Sequence, residues 1–328
     1  MSKLATIRQM IASAERILVV THIGPDGDAL GSLTAVGTAL SQFGKNYSLV
    51  CDDGGLSRFR YLPLADQIQK QRDGNTKYDL LIAVDCGDEM RMGQAYATLP
   101  DPKPPIINID HHITNTMFGD VNLVNPDATS AAEVLFGLFA EMGLALTDDL
   151  ALSLLTGLVT DTLGFRTVGV TPTTMKIASK LMDAGADLSL VTMHGLNLKP
   201  LSTVRMWQIG LNNMRNENGL IWTTIGKEEL AVLGLNGASN AGLVNLLADI
   251  DEAAIGAVLM ETNEGTVRVG FRCRPPYNVA ELAMNLGGGG HPLAAGCTLD
   301  GPLDKAESLV VDMCKDAIRQ QSRAVEYG

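Results

Sequence analysis

The chain has 328 residues, 46% hydrophobic and 19% charged, which is enough to bury a sizeable core, excludes intrinsic disorder and leads us to expect two domains. Its formal net charge of −12 excludes a protein that grips long nucleic acid by neutralising many phosphates. The sequence has no uncharged apolar run of about 18 residues and no signal-peptide core, and five cysteines without a C-x-x-C pair, so we expect a soluble protein of the reducing cytoplasm with no membrane partner.

In chain order, the apolar run at residues 17–20 reads as a strand followed by His22-Ile23-Gly24-Pro25-Asp26-Gly27-Asp28, then a helix over 31–43. A second strand at 80–84 leads into Asp85, and a third at 105–109 into Asp110-His111-His112. A helix is predicted over 130–142, and the apolar stretch 154–160 precedes Asp161. Short apolar runs bounded by Gly, Pro and Asp and alternating with helix-length segments indicate βαβ units and a parallel sheet. The carboxyl ends of such strands share one edge, so His22, Asp26, Asp28, Asp85 and His111, all just past predicted strands, can meet there. Cys86, beside Asp85, reads as a small buried residue of the loop.

Imidazoles with several carboxylates and no thiolate suit Mn²⁺ or Mg²⁺ better than a structural zinc site. Asp26, Asp28, Asp85 and Asp161 supply four negative charges, which two divalent cations neutralise. Paired metals of this kind hydrolyse phosphate esters by activating a water and holding the attacking and leaving oxygens. The two histidines tilt the choice modestly toward Mn²⁺.

The pattern changes near residues 190–215. We assign a catalytic domain to 1–190, a connector to 191–215 and a smaller domain to 216–328. His194 is expected to be structural or at the hinge. Strands are predicted at 219–225, 252–261 and 266–272, and a helix over 278–286 leads into Gly287-Gly288-Gly289-Gly290-His291. Glycine backbone approaches anions closely, and His291 adds a donor. Alternation places Arg268, Arg272 and Arg274 on one face while the strand lasts, a solvated basic face or an anion site.

THIGPDGDALGS (residues 21–32), VDCGD (84–88), IDHHITN (109–115) and GLVTDTLGF (157–165) resemble the four motifs of the DHH phosphoesterases, and GGGGHPLAAG (287–296) the glycine-rich motif of their associated C-terminal domain. The likeness is greatest to the group that hydrolyses short oligoribonucleotides and 3′-phosphoadenosine 5′-phosphate (pAp). It implies an α/β protein: a parallel-sheet domain with helices on both faces, a smaller mixed-sheet domain, and a site in the cleft between them. It assigns one metal to His22, Asp26 and Asp85 and a second to Asp28, His111, Asp161 and a shared Asp85. His112 would face the substrate phosphate and Asp110 would orient a neighbouring imidazole. Arg272, Gly288, Gly289, Gly290 and His291 would bind substrate, although Gly270 and Cys273 stand where relatives commonly carry serines.

The resemblance thus implies hydrolysis of short RNA or mononucleotide bisphosphates and leaves a homodimer open. A cyclic-dinucleotide phosphodiesterase of the c-di-AMP type is the alternative reading, and a non-catalytic nucleotide sensor on the same fold is the alternative from another class. A processive exonuclease would need further nucleic-acid-binding modules, and an inorganic pyrophosphatase would lack the glycine-histidine motif.

Overall fold

The computed structural model describes residues 2–237 and 239–326, and side chains through 322. Two compact units divide the chain between Leu198 and Lys199.

Unit 1 has six strands: β1 (Arg16–Val20), β2 (Asn46–Val50), β3 (Ile68–Gln69), β4 (Leu80–Val84), β5 (Ile106–Asp110) and β6 (Val121–Val124). They form one parallel sheet in the order β3-β2-β1-β4-β5-β6. All residues of β4 and β5 are buried, as expected of central strands covered on both faces. The helices are α1 (Lys3–Ser13), α2 (Gly27–Gln42), α3 (Gln94–Ala97), α4 (Ala131–Met142), α5 (Asp148–Asp161), α6 (Pro172–Asp183) and α7 (Leu188–Thr192), the last continuing into a π turn over Met193–Asn197. Ile17 and Val19 point into a core with α1, α2, α4 and α5, whereas Leu18 and Val20 pack on the other face against Met92, Ala95 and Leu99 around α3. Each fully buried Leu or Ile contributes about 1.5–3 kcal/mol.

The chain winds outward from β1 through β2 to β3, then returns to β4 and proceeds the other way, so β1 and β4 flank the point where the strand order reverses. In open α/β sheets the crevice lies there, beyond the carboxyl ends. The apolar stretch 154–160 belongs to helix α5, so Asp161 ends a helix and not a strand. Helix α2 begins four residues before the predicted start at 31, because the Asp26 carboxylate caps it by accepting from the backbone N–H groups of Asp28 and Ala29, each at 3.0 Å.

Unit 2 contains α8 (Leu201–Asn212), which lies within the expected connector, then β7 (Arg215–Glu217), β8 (Leu220–Ile225), α9 (Lys227–Val232), α10 (Leu243–Ala248), β9 (Ile255–Glu261), β10 (Thr266–Cys273), α11 (Ala280–Asn285), β11 (Gly289–His291), β12 (Ala294–Asp300) and α12 (Leu303–Glu326). The sheet order is β11-β12-β10-β9-β8-β7, with only the β8–β9 pair parallel. Val267, Val269, Phe271 and Cys273 on alternate positions of β10 face a core that includes Val310 and Cys314 of α12.

Candidate metal centre and anion platform

The carboxyl ends of β1, β4 and β5 carry His22, Asp85 and His111, and helices α2 and α5 add Asp28 and Asp161. These helices approach closely because their contact residues are glycines. A Cβ on Gly31 would lie 2.6 Å from the Ser153 carbonyl oxygen, and one on Gly157 would lie 2.4 Å from Asp28 Oδ1. Strand β4 ends in an abrupt turn at Asp85, whose φ of 57° is left-handed, a conformation that costs a non-glycine residue about 1–3 kcal/mol unless its surroundings hold it. Its backbone N–H donates to the Ile109 carbonyl at 3.0 Å, and Thr21 Oγ1 donates to the Val84 carbonyl at 3.0 Å, pinning the turn between neighbouring strands.

Two triads result. His22, Asp26 and Asp85 offer ligand atoms within 4.8 Å of one another, and so do Asp28, His111 and Asp161. Asp85 lies between them, with Oδ2 3.5 Å from His22 Nε2 and Oδ1 3.7 Å from His111 Nε2. His111 Nε2 is also 3.3 Å from Asp161 Oδ2. His22 Nδ1 lies 2.9 Å from the Ile23 carbonyl oxygen and His111 Nδ1 3.3 Å from that of Ala128, so each ring is anchored through Nδ1 and turns Nε2 inward. Burial holds both imidazoles below their ordinary pKa, which favours the neutral, ligating form.

Among the described residues, no Lys or Arg forms an ion pair with Asp28, Asp85 or Asp161. Asp85 is 3% exposed and its buried Oδ1 has no hydrogen-bond donor. Burial and the neighbouring aspartates push its carboxyl well above the usual range, and push Asp28 to about 7 and Asp161 to about 9. An orphaned carboxylate oxygen among mutually repelling acids and inward-facing imidazoles suits hard divalent cations. Asp28, fully buried, also accepts from the N–H groups of Ala131 and Ala132 at the start of α4, at 2.6 and 3.0 Å, and from Ser32 Oγ at 3.2 Å. That second duty was not evident from its motif.

His112 behaves differently from His111. Its Nδ1 lies 2.7 Å from Asp110 Oδ1, and this hydrogen bond raises its pKa. Burial pushes Asp110 up, but His112 and the side chain of Asn115 outweigh it and hold the carboxyl below its ordinary value. Both Asp110 oxygens are thereby engaged, although the residue clusters with Asp85, His111 and His112. Cys86 is buried, its thiol pushed up by burial. His194, on the π turn, packs against Tyr61 with ring centroids 5.3 Å apart. Arg91 was overlooked in the sequence; its guanidinium lies 3.0 Å from His22 Nδ1 and its carbonyl accepts from the Ile23 N–H.

In unit 2 the strand register sorts the other candidates into rows. Arg272, Ala294 and His291 are paired across β10, β12 and β11, and so are Gly270, Gly296 and Gly289. Paired residues share a face, so Arg272 and His291 flank a floor of three glycines, with Arg268 and Thr298 on its other side. A cavity of about 500 Å³ over this floor is lined by Asn240, Arg268, Gly270, Gly288, Gly296 and Thr298. Gly288 also has a packing role, since a Cβ there would meet the Gly296 carbonyl at 2.1 Å; Gly290, at φ 145°, would meet that of Ala294 at 2.5 Å. Arg274 leaves the expected basic face: it lies past the end of β10 and donates to the carbonyls of Ile250, Asp251 and Ala253. Arg272 is half-buried, with Nη1 3.0 Å from the Phe271 carbonyl.

A parallel sheet whose central strand ends present a two-triad acidic and imidazole cluster, in a chain with a separate glycine-floored unit, defines a metal-dependent phosphoesterase. Residues 16–158 match the DHH family, N-terminal domain, and residues 229–320 match the DHHA1 domain. The chain belongs to the DHH family. It is 30% identical over 322 residues to the bifunctional oligoribonuclease and PAP phosphatase NrnA of Thermus thermophilus, covering 96% of this chain and 94% of that protein. A cyclic-di-AMP phosphodiesterase, GdpP of Geobacillus thermodenitrificans, is 26% identical over 94% of this chain but only 49% of its own length. The crystal structure of an exopolyphosphatase-related protein from Bacteroides fragilis shares the fold, with a TM-score of 0.86 at 21% identity over 99% of this chain and 97% of that one.

Proposed function

We propose that the protein hydrolyses short oligoribonucleotides and pAp with two divalent cations, Mn²⁺ in preference to Mg²⁺. The observation that carries this reading is the shared, undercompensated Asp85 carboxylate between two triads. His22, Asp26 and Asp85 would hold one cation, and Asp28, His111, Asp161 and Asp85 the other. When bound, the cations supply the Lewis acidity that activates water and neutralises charge on the phosphoryl group.

The chain's own residues do the rest. Asp85 turns one oxygen toward each triad, and the neutral His22 and His111 complete them without adding charge. His112, held by Asp110, offers its Nε2 proton to a phosphoryl or leaving oxygen. Arg272 and His291, with the backbone of Gly288, Gly289 and Gly290, bind a distal phosphate or base, Arg272 by its planar pair of donors. The acidic chain favours substrates with few phosphates. Five free, buried cysteines are consistent with a reducing cytoplasm, and no helix among the described residues is long and apolar enough to cross a membrane.

The test is hydrolysis with Mn²⁺ of a matched panel of pAp, a 5′-phosphorylated RNA dinucleotide, a 24-mer RNA and cyclic di-AMP. Preference for pAp and the dinucleotide is expected. Preference for cyclic di-AMP would move the protein to signal degradation, and silence on all four would leave a nucleotide sensor.

A further inference from the structure

Asn115 stands three residues beyond His112, outside both triads, yet its amide is the most fully engaged polar side chain near the centre. Its Nδ2 donates to Asp110 Oδ2 at 2.5 Å and to the Cys86 carbonyl at 3.0 Å. Its Oδ1 accepts from Asn108 Nδ2 at 3.0 Å and from the Met117 N–H at 2.7 Å. Two donated and two accepted bonds use the side chain's whole capacity and fix which way the amide faces, since the flipped amide would set an oxygen against a carboxylate and a carbonyl. Asn108, fully buried on β5, also donates to Asn122 Oδ1 at 3.2 Å, and Asn122 donates to the carbonyls of Met117 and Gly119 at 3.1 and 2.7 Å.

The chain of amides therefore runs from Asn122 through Asn108 and Asn115 to Asp110, and from Asp110 Oδ1 to His112 Nδ1 at 2.7 Å. Asp110 is 0% exposed, whereas the His112 side chain is 37% exposed, so the network reaches the accessible side of the centre through that imidazole. A carboxylate with one oxygen held by Asn115 cannot rotate, and the ring bound to its other oxygen keeps one orientation.

We propose that Asn115 is a positioning residue of the hydrolytic reaction, which locks Asp110 so that the His112 ring is held with Nε2 toward the substrate phosphoryl group. The inference rests on the reading of His112 as the substrate-facing histidine. It assigns Asn115 no contact with substrate or metal. The bond to the Cys86 carbonyl gives the residue a second, structural tie to the loop after Asp85, and the experiment must separate the two.

The experiment is a double-mutant cycle on the full chain, with kcat and KM for pAp in saturating Mn²⁺ and Mn²⁺ affinity by calorimetry. Asn115→Asp keeps the size and the acceptor but removes both donors, and Asn115→Ala removes the side chain; should the alanine variant fail to fold, the aspartate variant carries the test. Each is expected to lower kcat about 10–100-fold, the usual effect of losing a partner of this kind, with KM and Mn²⁺ affinity within about twofold of wild type. In a His112→Ala background the same substitutions should cost nothing further. Equal losses in both backgrounds, or a collapse of Mn²⁺ affinity, would overturn the positioning role and leave Asn115 as a tie between loops. A His112→Ala enzyme with wild-type kcat would instead remove the reading on which the proposal rests.

Discussion

Asp85 combines three properties that rarely coexist in one residue: a left-handed backbone, near-complete burial and a carboxylate oxygen without a donor. Such strain and burial persist where the surroundings hold them and a ligand compensates them. Asp85→Asn keeps the shape and removes the charge, and should abolish Mn²⁺-dependent turnover while lowering Mn²⁺ affinity at least 100-fold by calorimetry, because both triads lose a shared ligand. The raised carboxyls also predict how the metal-free protein responds to pH. Asp28, at about 7, and Asp161, at about 9, bind protons in the folded state that the unfolded chain has already released near pH 4. Stability from these groups is fully present below the unfolded pKa and is lost as pH rises through the folded values. The melting temperature in EDTA should therefore fall between pH 7 and 9, above the range in which the lowered His22 and His111 imidazoles titrate with the opposite sign, and Mn²⁺ should raise it more at pH 8 than at pH 5. A flat profile in EDTA would refute the electrostatic account.

Helices α2 and α5 set the second triad, and their contact tolerates no side chain at Gly157. Gly157→Ala places a methyl against Asp28 and Ala132, an overpacking that typically costs about 1–3 kcal/mol, and should weaken Mn²⁺ binding together with thermal stability. Gly289 behaves oppositely: a Cβ there meets nothing within 4 Å, so Gly289→Val should fold normally, keep its Mn²⁺ affinity and raise KM for pAp by crowding the glycine floor. The strand-end loops were legible in the sequence because each places metal-ligand chemistry directly after an apolar run. Asp161's setting was not, because α5 is buried at every position from Ser153 to Val159, which erases the 3.6-residue period that separates a helix from a central strand. Strands β11 and β12 escaped prediction because both segments are rich in Gly and Ala and poor in the β-branched and aromatic residues that mark a strand. The motifs named Asn115 with its partners Asp110 and Cys86 but not Asn108, and Asn122 joins that network only through its pairing with Asn108 in the β5–β6 register.

At the scale of the whole molecule, the excess of acidic residues leaves few cationic contacts for a phosphate backbone. With about two phosphate contacts, raising salt from about 50 to 200 mM should weaken dinucleotide binding only about sevenfold, against the about 10³–10⁵-fold typical of proteins that follow long duplexes. A steep salt dependence would mean an extended basic track. The strand order of unit 1 has a further outcome for biosynthesis. All six candidate ligands lie between His22 and Asp161, inside the first compact unit, and the 130 residues of unit 2 follow them. At ribosomal speeds of about 5–20 residues per second, roughly 7–26 s separate the emergence of the two units, and N-terminal domains generally fold first. On the proposed assignment, the nascent chain would acquire its cations before the glycine floor exists, so metal loading and substrate capture would be successive events in the life of each molecule.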